Sequence, residues 1–156
     1  MYAEGSKASD KDPSTQAFQD DYNKDMRIVS GKYGGRKLAL IKGHDIRPTT
    51  DKVRGAMFNA LRSRGVVEGA RVLDAFCGSG ALGLEALSQG ASHCTFVDKS
   101  RKSLDLARRN AESLGALESC TFILSDFKTL KTLPQADLVF LDPPYHKGLV
   151  PDALLS

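Results

Sequence analysis

The chain has 156 residues, 41% hydrophobic and 26% charged, with a formal net charge of +3; these are the proportions of one soluble globular domain and exclude a disordered or collagen-like chain. No apolar run approaches the roughly 18–20 residues that cross a bilayer, and Asp10, Asp12, Asp20 and Asp21 do not belong in a signal peptide. Three cysteines (Cys77, Cys94 and Cys120) without a Cys-x-x-Cys pair build neither a disulfide framework nor a zinc cage, which favours a reducing, cytoplasmic setting.

Residues 1–25 are polar and net acidic, with Tyr2, Phe18 and Tyr22 as their only large apolar side chains. They cannot bury enough surface to offset their ordering entropy and read as a flexible leader or tag. From Met26 the composition changes. Residues 26–54 hold Arg27, Lys32, Arg36, Lys37, Lys42, Arg47, Lys52 and Arg54 against Asp45 and Asp51, while the remainder of the chain balances. A basic segment on a neutral domain suits a polyanionic partner. Short strands are expected over Arg27–Ser30 and Arg36–Ile41, around a turn at Gly31, Gly34 and Gly35, with Gly43 closing a basic hairpin at 26–46.

Pro48 holds Arg47 extended, and Thr50 is an N-cap for a helix over Asp51–Ser63 that presents Val53, Met57, Ala60 and Leu61 on one apolar face. Strands and helices then alternate. Arg71–Ala75 is a strand, a glycine-rich turn opens a helix over Ala81–Gln89, and Cys94–Asp98 is the next strand. Ser100 caps a helix over Arg101–Leu114 that Gly115 stops, and Cys120–Leu124 and Leu138–Leu141 are two further strands. This pattern predicts an α/β fold with an open, mostly parallel sheet. Only part of one helix, Val150–Leu155, fits after the last strand. An apolar parallel strand is ordinarily covered on both faces, so the chain is expected to be truncated before its last strands.

Gly78-x-Gly80-x-x-Gly83 follows a strand and opens a helix, the context in which a backbone turn approaches a nucleotide closely. Asp74 at that strand's end would repel a pyrophosphate but accept a hydrogen bond from an ammonium, which favours an amino-acid-bearing nucleoside such as S-adenosylmethionine over NAD. Asp98, 18 residues after Gly80, is placed for ribose hydroxyls, and Ser100 can cap the following helix without it. Asp126 could accept an adenine amine while Phe127 lies against the ring. Three successive strands thus end in Asp74, Asp98 and Asp126, at the edge of a sheet where ligands bind.

Asp142-Pro143-Pro144-Tyr145 ends the fourth strand. Two prolines remove two N–H donors and stiffen the loop. Asp142 and the Pro143 carbonyl form an acceptor pair suited to an exocyclic amine, and Tyr145 offers a ring for the base. Cys77 has no basic neighbour in sequence and is not read as a nucleophile. His44, His93 and His146 lack ligand spacing, so no metal is expected. Glu85 is expected to pair with a neighbour or to border the crevice.

Asp74-x-Phe76-x-Gly78-Ser79-Gly80 together with Asp142-Pro-Pro-Tyr145 resembles amino-directed, S-adenosylmethionine-dependent methyltransferases. Arg27-Ile-Val-Ser-Gly31-Lys-Tyr-Gly-Gly-Arg-Lys-Leu38, Arg47-Pro-Thr-Thr-Asp-Lys-Val-Arg54 with Met57-Phe-Asn59, and Gly83-Leu-Glu85-Ala-Leu87-Ser-x-Gly90-Ala91 are similar to the RsmD family of bacterial 16S rRNA guanine-N2 methyltransferases. The resemblance runs from Met26 to about Pro151. It implies a Rossmann-like methyltransferase domain over 47–156, with S-adenosylmethionine as donor and S-adenosylhomocysteine as product. The acceptor it implies is a guanine of 16S rRNA (guanine 966 in the family) in an assembling small-subunit particle.

By this similarity Asp74, Phe76, Gly78, Ser79, Gly80, Asp98, Lys99, Asp126 and Phe127 hold the donor. Arg47, Pro48 and Thr49 close over it, and Asp142, Pro143, Pro144 and Tyr145 receive the base. Arg36, Lys37, Lys42, Arg54 and Lys147 are the candidate phosphate contacts. The chain departs from the family at Gly55, where a longer polar residue is usual; glycine there costs about 1 kcal/mol relative to alanine. The base loop serves adenine N6 or a protein glutamine equally well, and the residues also leave open a catalytically silent nucleotide- or RNA-binding module.

Overall fold

The computed structural model describes residues 26–40 and 50–142. Lys42, Arg47, Pro48, Thr49, Pro143, Pro144, Tyr145 and Lys147, with the leader and the Val150–Leu155 segment, lie outside the described residues.

Strands β1 (Met26–Arg27) and β2 (Lys37–Leu38) pair antiparallel, Met26 opposite Leu38 and Arg27 opposite Lys37. Both are shorter than the sequence predicts, and Ile41 lies outside the described residues. The N–H groups of Val29 and Ser30 donate to the two carboxylate oxygens of Glu85, at 2.9 and 3.1 Å. The turn that follows rests on Ser88: Lys32 N donates to its carbonyl, Tyr33 N to its hydroxyl, and that hydroxyl donates to Ser30 O. Gly31, at φ +91°, sits where a Cβ would collide with the Ser88 carbonyl.

Helix α1 (Asp51–Ser63) begins as predicted, with the Thr50 hydroxyl accepting from Val53 N at 3.2 Å. Its inward face is the predicted one in part: Met57 and Leu61 pack against the core, while Val53 and Ala60 do not. Val53 and Ala60 are exposed, Met57 and Leu61 are half-buried, and the buried pair is Arg54 and Phe58. Phe58 packs against Phe140, with ring centroids 5.5 Å apart. Arg54 is drawn inward by Glu85, and together these two anchors rotate the helix away from the stripe that hydrophobicity alone selects.

The main sheet holds β3 (Arg71–Ala75), β4 (His93–Asp98), β5 (Cys120–Leu124) and β6 (Leu138–Leu141), all parallel in the order β5-β4-β3-β6. Helix α2 (Ala81–Ser88) joins β3 to β4, and α3 (Arg101–Leu114) joins β4 to β5. This is the Rossmann-like arrangement expected, with a small antiparallel hairpin beside it. Asp137 N donates to Arg71 O, and Arg71 N returns a bond to the Asp137 carboxylate, which sets the β3–β6 register. The chain moves outward from β3 through β4 to β5, then returns to the far side of β3, so a topological switch point lies between β3 and β6. Crevices outside the carboxyl ends of strands at such points are where open α/β sheets take ligands. Among the described residues β6 is an edge strand, with Phe140 buried but Val139 and Leu141 45% and 43% exposed.

Phe96 of β4 stacks on Phe122 of β5 (centroids 5.2 Å apart) beneath the helices. Gly83 lets α2 lie directly on β4: a Cβ there would stand 2.5 Å from both Cys94 Sγ and Phe96 Cε1. Both neighbours are buried and cannot yield. Gly83→Ala is therefore expected to lower unfolding free energy by about 1–3 kcal/mol through overpacking, read from urea denaturation; an unchanged midpoint would contradict this packing.

Candidate functional site

The β3–α2 turn is built from left-handed residues. Phe76 (φ +58°), Gly78 (φ +55°) and Gly80 (φ +86°) reverse the chain within five positions, and Phe76 is the sole non-glycine residue of positive φ among the described residues. Cys77 N donates to Val97 O and Gly80 N to Cys77 O, which pins the turn to β4. A Cβ on Gly78 would meet nothing within 4 Å among the described residues, so none of these covers the turn there. At Gly80 it would press on Ala107 of α3. The three glycines thus divide their work: Gly78 supplies a positive φ with no described neighbour at its Cβ position, and Gly80 and Gly83 permit close packing.

Asp74 is 1% exposed, and its Oδ2 accepts from Gly83 N at 2.9 Å, so it caps the first turn of α2 in place of the side chain Gly80 lacks. Asp98 is engaged as well. Its Oδ2 accepts from Gly78 N at 3.1 Å and its Oδ1 from Ser100 N at 2.9 Å, while the Ser100 hydroxyl caps α3. The carboxylate expected to be spare therefore ties the glycine turn to the end of β4, and any ligand contact uses its remaining lone pairs. Asp142 follows the Ala75–Leu141 register pair directly and is exposed.

Burial pushes the Asp74 carboxyl well above its ordinary range; the Gly83 N–H opposes this, and the Asp142 and Asp98 carboxylates add to it. Among the described residues no cationic side chain forms an ion pair with Asp74 or Asp98. Such a crevice is poised for positive charge: a cation set among these groups would let Asp74 ionise.

Phe127 begins a single 3-10 turn after β5 and meets Phe76, with ring centroids 5.6 Å apart, so two aromatic rings flank the turn. Asp126 caps that turn, its Oδ1 accepting from Lys128 N. Lys99 is exposed between Asp98 and Ser100.

The basic candidates separate. Lys37 is exposed on β2. Arg36 is exposed but donates to Ser113 O at 2.6 Å, near the carboxyl end of α3, where a cation also suits the helix dipole. Arg54 does not fit a phosphate contact. Its side chain is fully buried, with Nε 3.1 Å from Glu85 Oε1 and Nη2 2.9 Å from Asp51 Oδ1 while donating to Arg27 O. Charge counting selected it, and a buried partner 31 residues away claims it.

Sequence reasoning passed over Asn110, a buried amide on the apolar stripe of α3 formed by Leu104, Ala107, Ala111 and Leu114. A polar residue within such a stripe is the signal that could have found it. Burial pushes the Cys77 thiol far above its ordinary value, and Cys120 up to about 11. Neither is a thiolate at neutral pH. No helix among the described residues is long and apolar enough to cross a membrane.

Comparison with known proteins bears on this crevice. A family model described as conserved hypothetical protein 95 matches residues 26–156. The ribosomal RNA small subunit methyltransferase D of Haemophilus influenzae is 34% identical, over 83% of this chain and 69% of its own. The Escherichia coli protein of the same name is 37% identical, over 83% of this chain and 65% of its own. The chain thus spans about two thirds of these relatives. A solved E. coli structure whose description proposes a methyltransferase superposes with a TM-score of 0.69 at 39% identity, covering 83% of this chain and 70% of that one. A hypothetical protein of Thermus thermophilus gives 0.71 at 29% identity, covering 83% and 77%.

The raised Asp74 carboxyl has a signed consequence for the ligand-free protein. Native Asp74 keeps its proton at pH values where the unfolded chain has lost it, so stability falls as pH climbs from the ordinary carboxylate value of 3.8 toward the raised native one. Asp74→Asn keeps an oxygen for Gly83 N and removes that dependence. Urea denaturation from pH 4 to 7 is expected to show the variant gaining on the wild type as pH rises; parallel pH curves would contradict it.

Proposed function

This chain belongs to the family of conserved hypothetical protein 95, the RsmD family, and from that membership and its strand-end crevice we propose that it transfers a methyl group from S-adenosylmethionine to the exocyclic N2 amine of a guanine in 16S rRNA. The observation that carries the reading is the carboxylate group at the ends of β3, β4 and β6. Asp74 is held back from ionising by burial and by Asp142 and Asp98, beneath a glycine turn open to a ligand. A ligand with a positive ammonium relieves that arrangement, whereas a pyrophosphate would aggravate it. S-adenosylmethionine, when bound, carries such an ammonium and supplies an electrophilic methyl group on a sulfonium sulfur.

In this reading Asp74, Phe76, Gly78, Ser79 and Gly80 hold the amino-acid end, and Asp98 with Lys99 take the ribose. Asp126 and Phe127 take the adenine, and Arg47, Pro48 and Thr49 close over it. Asp142 and the Pro143 carbonyl accept the two N–H bonds of the guanine amine, with Pro144 stiffening the loop and Tyr145 stacking on the base. A purine amine is a weak nucleophile because its lone pair is delocalised. Holding both N–H bonds lets nitrogen pyramidalise and aim that pair at the methyl carbon. Most of the acceleration then comes from alignment at near-attack distance, and Asp142 stabilises the positive charge growing on nitrogen. Lys37, with Arg36, Lys42 and Lys147, contacts phosphates, which position the RNA while the base confers specificity. The partner is 16S rRNA or an assembling small-subunit particle, in the cytoplasm.

Tritium transfer from labelled S-adenosylmethionine to small-subunit particles tests the reading. The wild type is expected to label them, and Asp142→Ala to lose about 10²–10³-fold in kcat with S-adenosylmethionine saturating. No transfer by the wild type, or undiminished transfer by the variant, would overturn it.

A further inference from the structure

Asn110 is 3% exposed and touches two segments that are remote in sequence. Its Oδ1 accepts from Ala39 N at 2.8 Å, while its Nδ2 donates to Ala39 O at 3.1 Å and to Ser79 O at 2.9 Å. The network fixes the amide's orientation, since a flipped group would set its oxygen against two carbonyls. Ala39 directly follows β2 of the basic hairpin, and Ser79 lies between Gly78 and Gly80 in the glycine turn. One buried amide therefore holds both the hairpin backbone and the glycine turn. It is carried on α3, whose neighbouring Ala107 also limits the turn at Gly80.

From this we infer that Asn110 is a positioning residue that couples the hairpin to the glycine turn, so that occupation of the turn by the methyl donor or its product orders the hairpin, and RNA held by the hairpin strengthens donor binding. The inference rests on the proposed donor site. The two carbonyls share the –NH₂ group of a single planar amide, so Ser79 cannot shift without tilting the plane that holds Ala39. Coupling between binding sites is reciprocal, which allows it to be read from either end. A residue that merely fills space beside α3 would stabilise the fold equally with and without ligand.

The test is amide hydrogen exchange at Ala39 in the full chain, with and without saturating S-adenosylhomocysteine. In the wild type the product is expected to slow Ala39 exchange by about fivefold or more, a typical lower bound for coupled sites. Asn110→Asp keeps an acceptor for Ala39 N and loses both donors. In this variant S-adenosylhomocysteine is expected to bind while the slowing at Ala39 disappears, and Asn110→Ala should behave likewise. Binding without any change at Ala39 in the wild type overturns the coupling whatever the variants do, and so does slowing that survives in Asn110→Asp. Failure of S-adenosylhomocysteine to bind at all would instead sink the donor site, and this inference with it.

Discussion

The buried carboxylate of Glu85 is the constraint around which the rest is arranged. It and Arg54 are both 0% exposed, and charges taken out of water are costly unless paired and fully hydrogen-bonded. Here the demand is met from four directions: Val29 N, Ser30 N, Arg54 Nε and Gln89 Nε2 all donate to Glu85. Two of these donors belong to the hairpin, one to α1 and one to the end of α2. Such a pair adds little net stability over a well-packed apolar equivalent. What it supplies is a unique seat for a hairpin that, among the described residues, has only two short strands of its own.

That seat determines what the crevice can be. Helix α2 begins at the glycine turn and carries Glu85 and Ser88 farther along, so one element joins that turn to the hairpin. Asp74 caps the start of this helix and Asp98 holds the turn down, with Asp142 emerging beside them at the β3–β6 switch point. The apo protein accepts an Asp74 disfavoured by its surroundings, the kind of local cost that concentrates at functional sites. A positive charge set beside Asp74 would remove it.

The sheet was legible in the chain because its signals are local. Thr50 and Ser100 cap where they stand, Gly115 stops α3 at φ +75°, and the strands fall within one or two residues of their apolar runs. The glycine turn and its acids were legible for the same reason. What escaped depends on partners distant in sequence. Arg54 looked like one more exposed cation, because nothing local reveals an acceptor on α2. The α1 face was misjudged in part for that same cause: the helix turns to bury Arg54 and Phe58, leaving Val53 in solvent. The hairpin strands were drawn too long because side chains distant in sequence hold the backbone beyond them: Glu85 takes Ser30 N and Asn110 takes Ala39 N. Asp98 seemed free because Ser100 caps α3 unaided, yet a carboxylate has acceptor capacity for the turn and for Ser100 N together.

The most direct measurement is a double-mutant cycle in unfolding free energy between Arg54 and Glu85, with each replaced by an apolar residue of similar size, Arg54→Met and Glu85→Leu. If the pair is the keystone described, Arg54→Met strips the buried Glu85 carboxylate of its cation, Glu85→Leu leaves Arg54 only its contacts outside α2, Asp51 among them, and each costs about 3–5 kcal/mol, while the double variant costs far less than the two together. Additivity to within about 0.5 kcal/mol would mean that the two side chains do not act as a unit, and the account built on them would fail.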